Sequence, residues 1–376
     1  MNPRKIAVLV LILAFGAVAV LGGRHLRNRA RNRPYTLSGQ RLADYTSLEP
    51  IDAHTHVFQT SRELTEVLER LHMHALDILY VDDTDPYLKD LKLQRAAAFD
   101  FVKASDGHAE LCTTFDPFEL EKLKFSTTAI AELNEDFERG AVAVKLWKNV
   151  GMELVRKSGK YVAPDDPAFQ PIIDDVAAHN KTLIVHAADP DEAWLPVQPG
   201  STPTYYTNHP QWDMTKKAGA PGKSTILQAR DQLIANHPGL RVVGAHLGSL
   251  ETHIDELRDR LDRYPSFAVD TAARVRQFVV QPREKVRDFV LQYQDRILYG
   301  TDLHLYAGET DPSAMAQAWE RQYARDYRYF STADKFVYQG HEVQGLNLPR
   351  PVLKKLYHDN AARWIPGIFG PETHKP

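Results

Sequence analysis

Residues 51–56 read Ile-Asp-Ala-His-Thr-His and end a short apolar run that begins at Leu48. On a strand, residues two apart point to the same side, so His54 and His56 can chelate one cation together. A lone pair of this kind is weak evidence. A second one, His72 and His74, comes after the amphipathic run 61–71 without a strand before it and reads as structural. What gives the first pair weight is recurrence, because the strand-then-helix order repeats to the end of the chain. Further apolar runs reach Asp82 in ILYVDD, Asp116 in LCTTFD, Lys145 in AVAVKLW, His186 in TLIVHA, His246 in RVVGAH, Asp270 in SFAVD and Asp302 in ILYGTD. Counted from His56, these positions lie 24 to 60 residues apart, one βα unit each. Eight such units predict an α/β fold, a (β/α)8 TIM-like barrel, over residues 47–376.

In such a barrel the polar residues at the C-terminal ends of the strands meet at one mouth. Here that set is His54, His56, Lys145, His186, His246 and Asp302, a metal-ligand composition. Cys112 is the single cysteine, so a disulfide within the chain and a thiolate zinc site are both excluded. A carboxylate beside a cation-activated water can take its proton, and Asp302 fits that role. Trp147, Lys148, Asp189 and Arg274 come just after strands four, five and seven and should face the mouth, where Lys148 and Arg274 could hold an anionic group. Asp82 and Asp116 read as N-terminal caps of the next helices. The longest step, from His186 to His246, implies an insertion over about residues 189–222. It is rich in Pro, Gly and aromatics, among them Trp194, Tyr205, Tyr206 and Trp212, and reads as a lid. A second aromatic stretch, from Tyr323 to Tyr338, either lines the mouth or packs on the barrel rim.

The ordered set resembles the amidohydrolase superfamily, and more closely its branch containing aminocarboxymuconate semialdehyde decarboxylase. The residues that carry the resemblance are IDAHTH at 51–56, AVAVKLW at 141–147, LIVHAADP at 183–190, VVGAHLG at 242–248, LYGTD at 298–302 and YHDNAARW at 357–364. The resemblance implies a divalent metal, usually zinc, one or two ions, held by His54, His56, His186 and Asp302. In relatives with two metals a lysine at the position of Lys145 is carbamylated and bridges them; as a plain ammonium, Lys145 would pair with Asp302 or with a substrate carboxylate. His246 is then a second-metal ligand or, with one ion, a hydrogen-bonding electrophile. The expected function is hydrolysis of an amide, ester or lactone bond of a small molecule, with Asp302 and His246 as catalytic residues. Nonoxidative decarboxylation on the same fold is the alternative, and a tethered binding protein on an inactive barrel is a third reading, disfavoured because every ligand type is retained.

The chain has 376 residues, 43% of them apolar, enough for one large domain or two ordinary ones, and its net charge is -3. Residues 1–33 carry seven Lys and Arg and no acid, which leaves 39 bases against 49 acids in the rest and argues against a nucleic-acid-binding body. The bases flank an apolar run over residues 6–23, so 1–23 read as a transmembrane anchor or signal segment and 24–46 as a polar linker. The arginines after the run favour an uncleaved single-pass membrane anchor, with the body cytoplasmic by the positive-inside rule and extracytoplasmic if it is exported.

Overall fold

The computed structural model describes residues 35–196 and 205–369. Their framework alternates strand and helix: β1 Ile51–Val57, α2 Arg62–Arg70, β2 His74–Ile78, α3 Leu91–Ala104, β3 Ala109–Thr114, α4 Phe125–Glu138, β4 Ala143–Leu146 and α5 Gln170–Ala178. It continues with β5 Thr182–Val185, α6 Lys223–Asn236, β6 Val242–Gly244, α7 Ile254–Arg263, β7 Phe267–Asp270, α8 Arg283–Gln292, β8 Ile297–Leu298, β9 Leu303–Leu305 and α9 Pro312–Ser331. A short helix, α1 Gln40–Thr46, precedes them, and the hairpin β10 Lys335–Tyr338 and β11 His341–Gln344 comes after. The nine strands β1 to β9 form one sheet in the order β8-β7-β6-β5-β4-β3-β2-β1-β9, with every pairing parallel. This is a TIM-like α/β fold.

The ninth strand is a consequence of Gly300-Thr301-Asp302, which interrupts the eighth unit. Asp302 takes a left-handed backbone, φ 65°, that no strand residue adopts, so the ladder stops at Leu298 and resumes at Leu303. Backbone bonds span the break, from Ala53 N to Tyr299 O and from Asp302 N to His54 O. The last unit of the sheet is thereby tied to its first strand at the histidines.

Burial explains why the strands read as apolar runs. β1 and β3 are buried at every residue, as expected of parallel strands covered on both faces. One set of side chains, Ile51, Ala53, Leu76, Cys112, Ile184 and Val243 among them, packs with Trp364, Ile365 and Ile368 from the C-terminal helical segment. The other set meets the helices. α2 starts where the Ser61 hydroxyl accepts from Leu64 N, and it turns Leu64, Val67 and Leu68 inward. α3 and α9 are capped in the same way by Asp90 and Asp311.

Several expectations are corrected. β2 ends at Ile78, not near Asp82; Leu79 N still donates to Cys112 O, Leu79 and Val81 are buried against α3, and Asp82 caps a turn by accepting from Thr84 N. Asp116 does cap the short helical turn after β3, accepting from Phe118 N. Residues 35–46 are not purely linker, since Leu37 and Tyr45 are buried and α1 packs on the body, so packed structure begins before residue 47. The expected membrane localisation is overturned: among the described residues no helix is long and apolar enough to cross a membrane. The apolar run 6–23, read above as a transmembrane anchor, lies outside the described residues. The second aromatic stretch packs on the rim, where Tyr323, Tyr327 and Tyr338 join Tyr45, Tyr299 and Tyr357 around Asp326, which accepts from Tyr299 and Tyr338.

Candidate metal and active site

β1 carries a bulge. Asp52 pairs with Ala75 but Thr55 pairs with Asp77, so one extra residue of β1 is accommodated beside the histidines, a device that re-aims side chains. The His54 and His56 rings stand edge to face, 5.2 Å apart, and the left-handed turn at Asp302 brings its Oδ1 to 3.2 Å from His56 Nε2 and 3.7 Å from His54 Nε2. The donor atoms of His54, His56 and Asp302 all lie within 4.8 Å of one another, a grouping able to hold a metal ion.

Each imidazole is pinned by its other nitrogen. His54 Nδ1 donates to Asp270 Oδ2 at 2.8 Å, His56 Nδ1 to the Ile78 carbonyl at 2.6 Å, and His246 Nδ1 to the Ala272 carbonyl at 2.9 Å. Carbonyl acceptors require a hydrogen on Nδ1, so in a neutral His246 ring the lone pair is on Nε2. His186, one residue past β5, has a buried Nε2 with no hydrogen bond, and its ring lies 4.2 Å from that of His246, which in turn lies 4.9 Å from that of His54. Burial holds His54 and His246 well below the usual imidazole range, and Lys145 adds to the effect at His54; burial likewise lowers His186 to about 4. Neutral rings with bare nitrogens are the form that ligates metals, so the residues present fit a divalent cation.

Asp302 itself is held well below the ordinary carboxylate range. Burial alone would raise it, but His246, the His56 hydrogen bond and His304 outweigh that. Its side chain remains 24% exposed, so the ionised oxygens reach solvent. Lys145, buried on β4, places Nζ 3.3 Å from His54 Nε2. Burial lowers its pKa, against the pull of Asp270 and Asp302. His246 and Leu247 both have left-handed backbones, φ 58° and 56°, a strained turn of the kind found where a side chain must be aimed.

A cavity of about 670 Å³ opens over this cluster, with His186, His246 and Asp302 in its wall. Three of the four residues expected at the mouth are there as well: Lys148, Asp189 and Arg274. Lys148 Nζ is paired with both Asp189 oxygens at 2.9 and 2.7 Å and sits 4.2 Å from the Trp212 ring. The fourth, Trp147, is set back, packed against Tyr80 and Trp212 at 4.5 and 5.1 Å. Tyr205 and Tyr206 of the insertion form part of the wall, and Trp194 fastens the insertion by donating to the Pro221 carbonyl. His74 opens β2, at the end of the strand away from this cluster, beside His108 and Phe369.

Two site residues escaped the reading of the sequence. Asp270 had no role beyond ending a strand, yet it orients His54 and also accepts from His246 N at 2.7 Å. Its signal was a carboxylate ending a fully apolar strand. His304, two residues past Asp302, stacks on His56 at 4.4 Å and donates from Nδ1 to the Asp302 carbonyl. The period of two from Asp302 along β9 was the available clue.

The sequence profile of the amidohydrolase family matches residues 123–366. A search of curated proteins finds no match. Among solved structures, an uncharacterised TIM-barrel protein from Bordetella bronchiseptica is similar at 13% identity and a TM-score of 0.50, covering 85% of this chain and 99% of its own. 5-Carboxyvanillate decarboxylase from Sphingomonas paucimobilis gives 15% identity and 0.44, covering 87% of this chain and 82% of its own. Dihydroorotase from Campylobacter jejuni gives 14% identity and 0.44, covering 84% of this chain and 82% of its own. At 13% identity the likeness to the Bordetella protein concerns the fold.

Proposed function

This chain belongs to the amidohydrolase family, and we propose that it is a metal-dependent hydrolase that cleaves an amide, ester or lactone bond of a small molecule. His54, His56, His186, His246 and Asp302 would hold the metal, with Lys145 as a carbamate completing a two-ion set. The donor set, imidazoles and a carboxylate without sulfur, suits zinc. When bound, such a cation brings the pKa of water toward ~7 and polarises a carbonyl. Asp302 accepts the proton of the attacking water and returns it to the leaving amine or alcohol, while the acyl group departs as a carboxylate. The aromatic wall of the insertion limits access of bulk water to the cavity.

The observation that carries this reading is the His246 hydrogen bond to the Ala272 carbonyl. In a neutral ring it leaves Nε2 without a hydrogen, which suits a ligand, the role His246 has in the two-ion reading. Elemental analysis of the purified protein tests it: about two ions per chain, with hydrolysis of ester or lactone probes, is expected. One ion per chain together with release of carbon dioxide from aryl carboxylates would overturn it. That outcome is the second reading, nonoxidative decarboxylation. It would go with Lys145 as a free amine, which at 3.3 Å from His54 Nε2 is placed to donate to that ring.

A further inference from the structure

The second histidine pair of the sequence, His72 and His74, separates in the fold. His72 is exposed in a left-handed turn, φ 51°, whereas His74 opens β2. The neighbour of His74 comes from β3 instead. Ala75 pairs with Ala109, so His74 and His108, each one residue earlier, stand side by side on adjacent parallel strands with their side chains on one face. That face also carries Leu76 and Cys112, which pack with Trp364, Ile365 and Ile368 of the C-terminal helical segment. The two histidines therefore lie on the floor of the barrel, at the strand ends away from the mouth. His358 comes to the same place from the C-terminal segment, and the Phe369 ring lies 4.8 Å from that of His74 and 5.2 Å from that of His358.

The polar contacts of these rings leave nitrogens over. His108 Nδ1 donates to the Met73 carbonyl at 2.8 Å, which in a neutral ring leaves Nε2 bare. The Gly107 carbonyl draws a hydrogen bond from the His74 ring, yet His74 Nδ1 is buried with no partner. Burial, reinforced by His108 and His358 against the pull of Glu49, holds His74 down to about 4, so this ring is neutral at ordinary pH. The His74 and His108 rings are 5.4 Å apart, close to the 5.2 Å between His54 and His56 at the mouth. A buried nitrogen without a partner is costly, and a cation that takes its lone pair removes that cost. Among the described residues only His54, His56 and Asp302 already gather three donors around one point, so an ion on the floor has two imidazoles and completes its coordination with water. We propose that His74 and His108 form a second metal site, for a divalent cation of the zinc, copper or nickel class, which joins the starts of β2 and β3 and is separate from the mouth. The site is independent of the reaction carried out there.

Calorimetric titration with zinc tests the proposal on untagged protein whose mouth has been loaded beforehand and whose free metal has been removed. The protein should take up a further zinc ion, bound more weakly than those of the mouth, and a magnesium titration should show no such event, because imidazole nitrogen suits zinc and not magnesium. His108→Asn keeps a donor for the Met73 carbonyl and loses Nε2, and it should weaken the further ion at least about tenfold. His74→Phe, which keeps a flat ring against Phe369, should do the same and guards against one variant that folds poorly. Thermal melting gives a second readout: added zinc should raise the Tm of the loaded parent protein and leave that of both variants unchanged. No uptake beyond the mouth, or uptake that both variants retain in full, would overturn the proposal. Loss of the further ion in His54→Ala, with His74 and His108 intact, would overturn it too, by placing that ion at the mouth.

Discussion

Asp302 combines two demands on one carboxylate, to complete the histidine cluster and to stay ionised as a proton acceptor. Asp302→Asn keeps the shape and removes the charge, so kcat should fall by roughly 10² or more, the usual loss for a positioned base. Steady-state kinetics with turnover near that of the parent protein would remove Asp302 from this role. His54→Ala and His186→Ala should lower metal content measured by elemental analysis, since each deletes a neutral nitrogen from a small ligand set. Lys145→Ala separates the two fates of that side chain: loss of an ion, with partial rescue of activity by an added short carboxylic acid, is expected for a carbamate, whereas an ammonium would leave metal content unchanged. The side chains of this cluster were legible because each stands at a repeating βα boundary, where chemistry and spacing coincide. Asp270 and His304 were not, because their roles are contacts. The bond from His54 to Asp270 joins residues 216 positions apart, and nothing local to either one announces it.

Strand positions were legible as apolar runs, but their ends were not. In ILYVDD the run continues past Ile78 because Leu79 and Val81 are buried beneath α3, and burial alone does not distinguish a strand from a covered loop. The bulge in β1 and the break before β9 were equally hidden, since both are set by register and backbone geometry and not by residue type. Asp77 on β2 shows how deeply these elements are enclosed: its Oδ1 accepts from Val57 N at 2.8 Å, while Oδ2 is buried without a partner. Burial pushes its carboxyl up to about 8, against the backbone hydrogen bonds that lower it. An acid whose pKa is raised on folding contributes stability that is fully present below its unfolded value near ~3.9 and is lost as pH rises through about 8. Asp77→Asn mimics the neutral acid at every pH, so its melting temperature relative to the parent should climb between pH 4 and pH 8. Parallel melting curves for the two proteins across that range would show that Asp77 is ionised in the fold at no cost.

At the scale of the molecule, the sheet fixes the cluster while the insertion after β5 decides what reaches it. The two depend on each other through Trp212, which is buried between the Trp147 ring at 5.1 Å and the Lys148 ammonium at 4.2 Å. That contact fastens a segment whose described residues include several short helical turns to β4 and its loop. The composition of residues 189–222 announced a segment of this kind, but only the packed structure shows which ring holds it down. Trp212→Ala removes one of the two indoles of the contact and should loosen the Lys148–Asp189 pair, opening the cavity to solvent. The strands do not depend on this ring, so the sheet should stay intact and far-UV circular dichroism should be preserved. Limited proteolysis should cut faster within 189–222, and KM should rise by about tenfold or more, with a smaller fall in kcat because the histidines and Asp302 lie on β1, just past β5 and β6, and in the β8–β9 break. An unchanged cleavage pattern with unchanged KM would show that the insertion is a fixed wall and takes no part in admitting substrate. A fall in kcat alone would instead place Trp212 in support of the catalytic cluster, through Lys148, Asp189 and the His186 that Asp189 approaches at 3.4 Å.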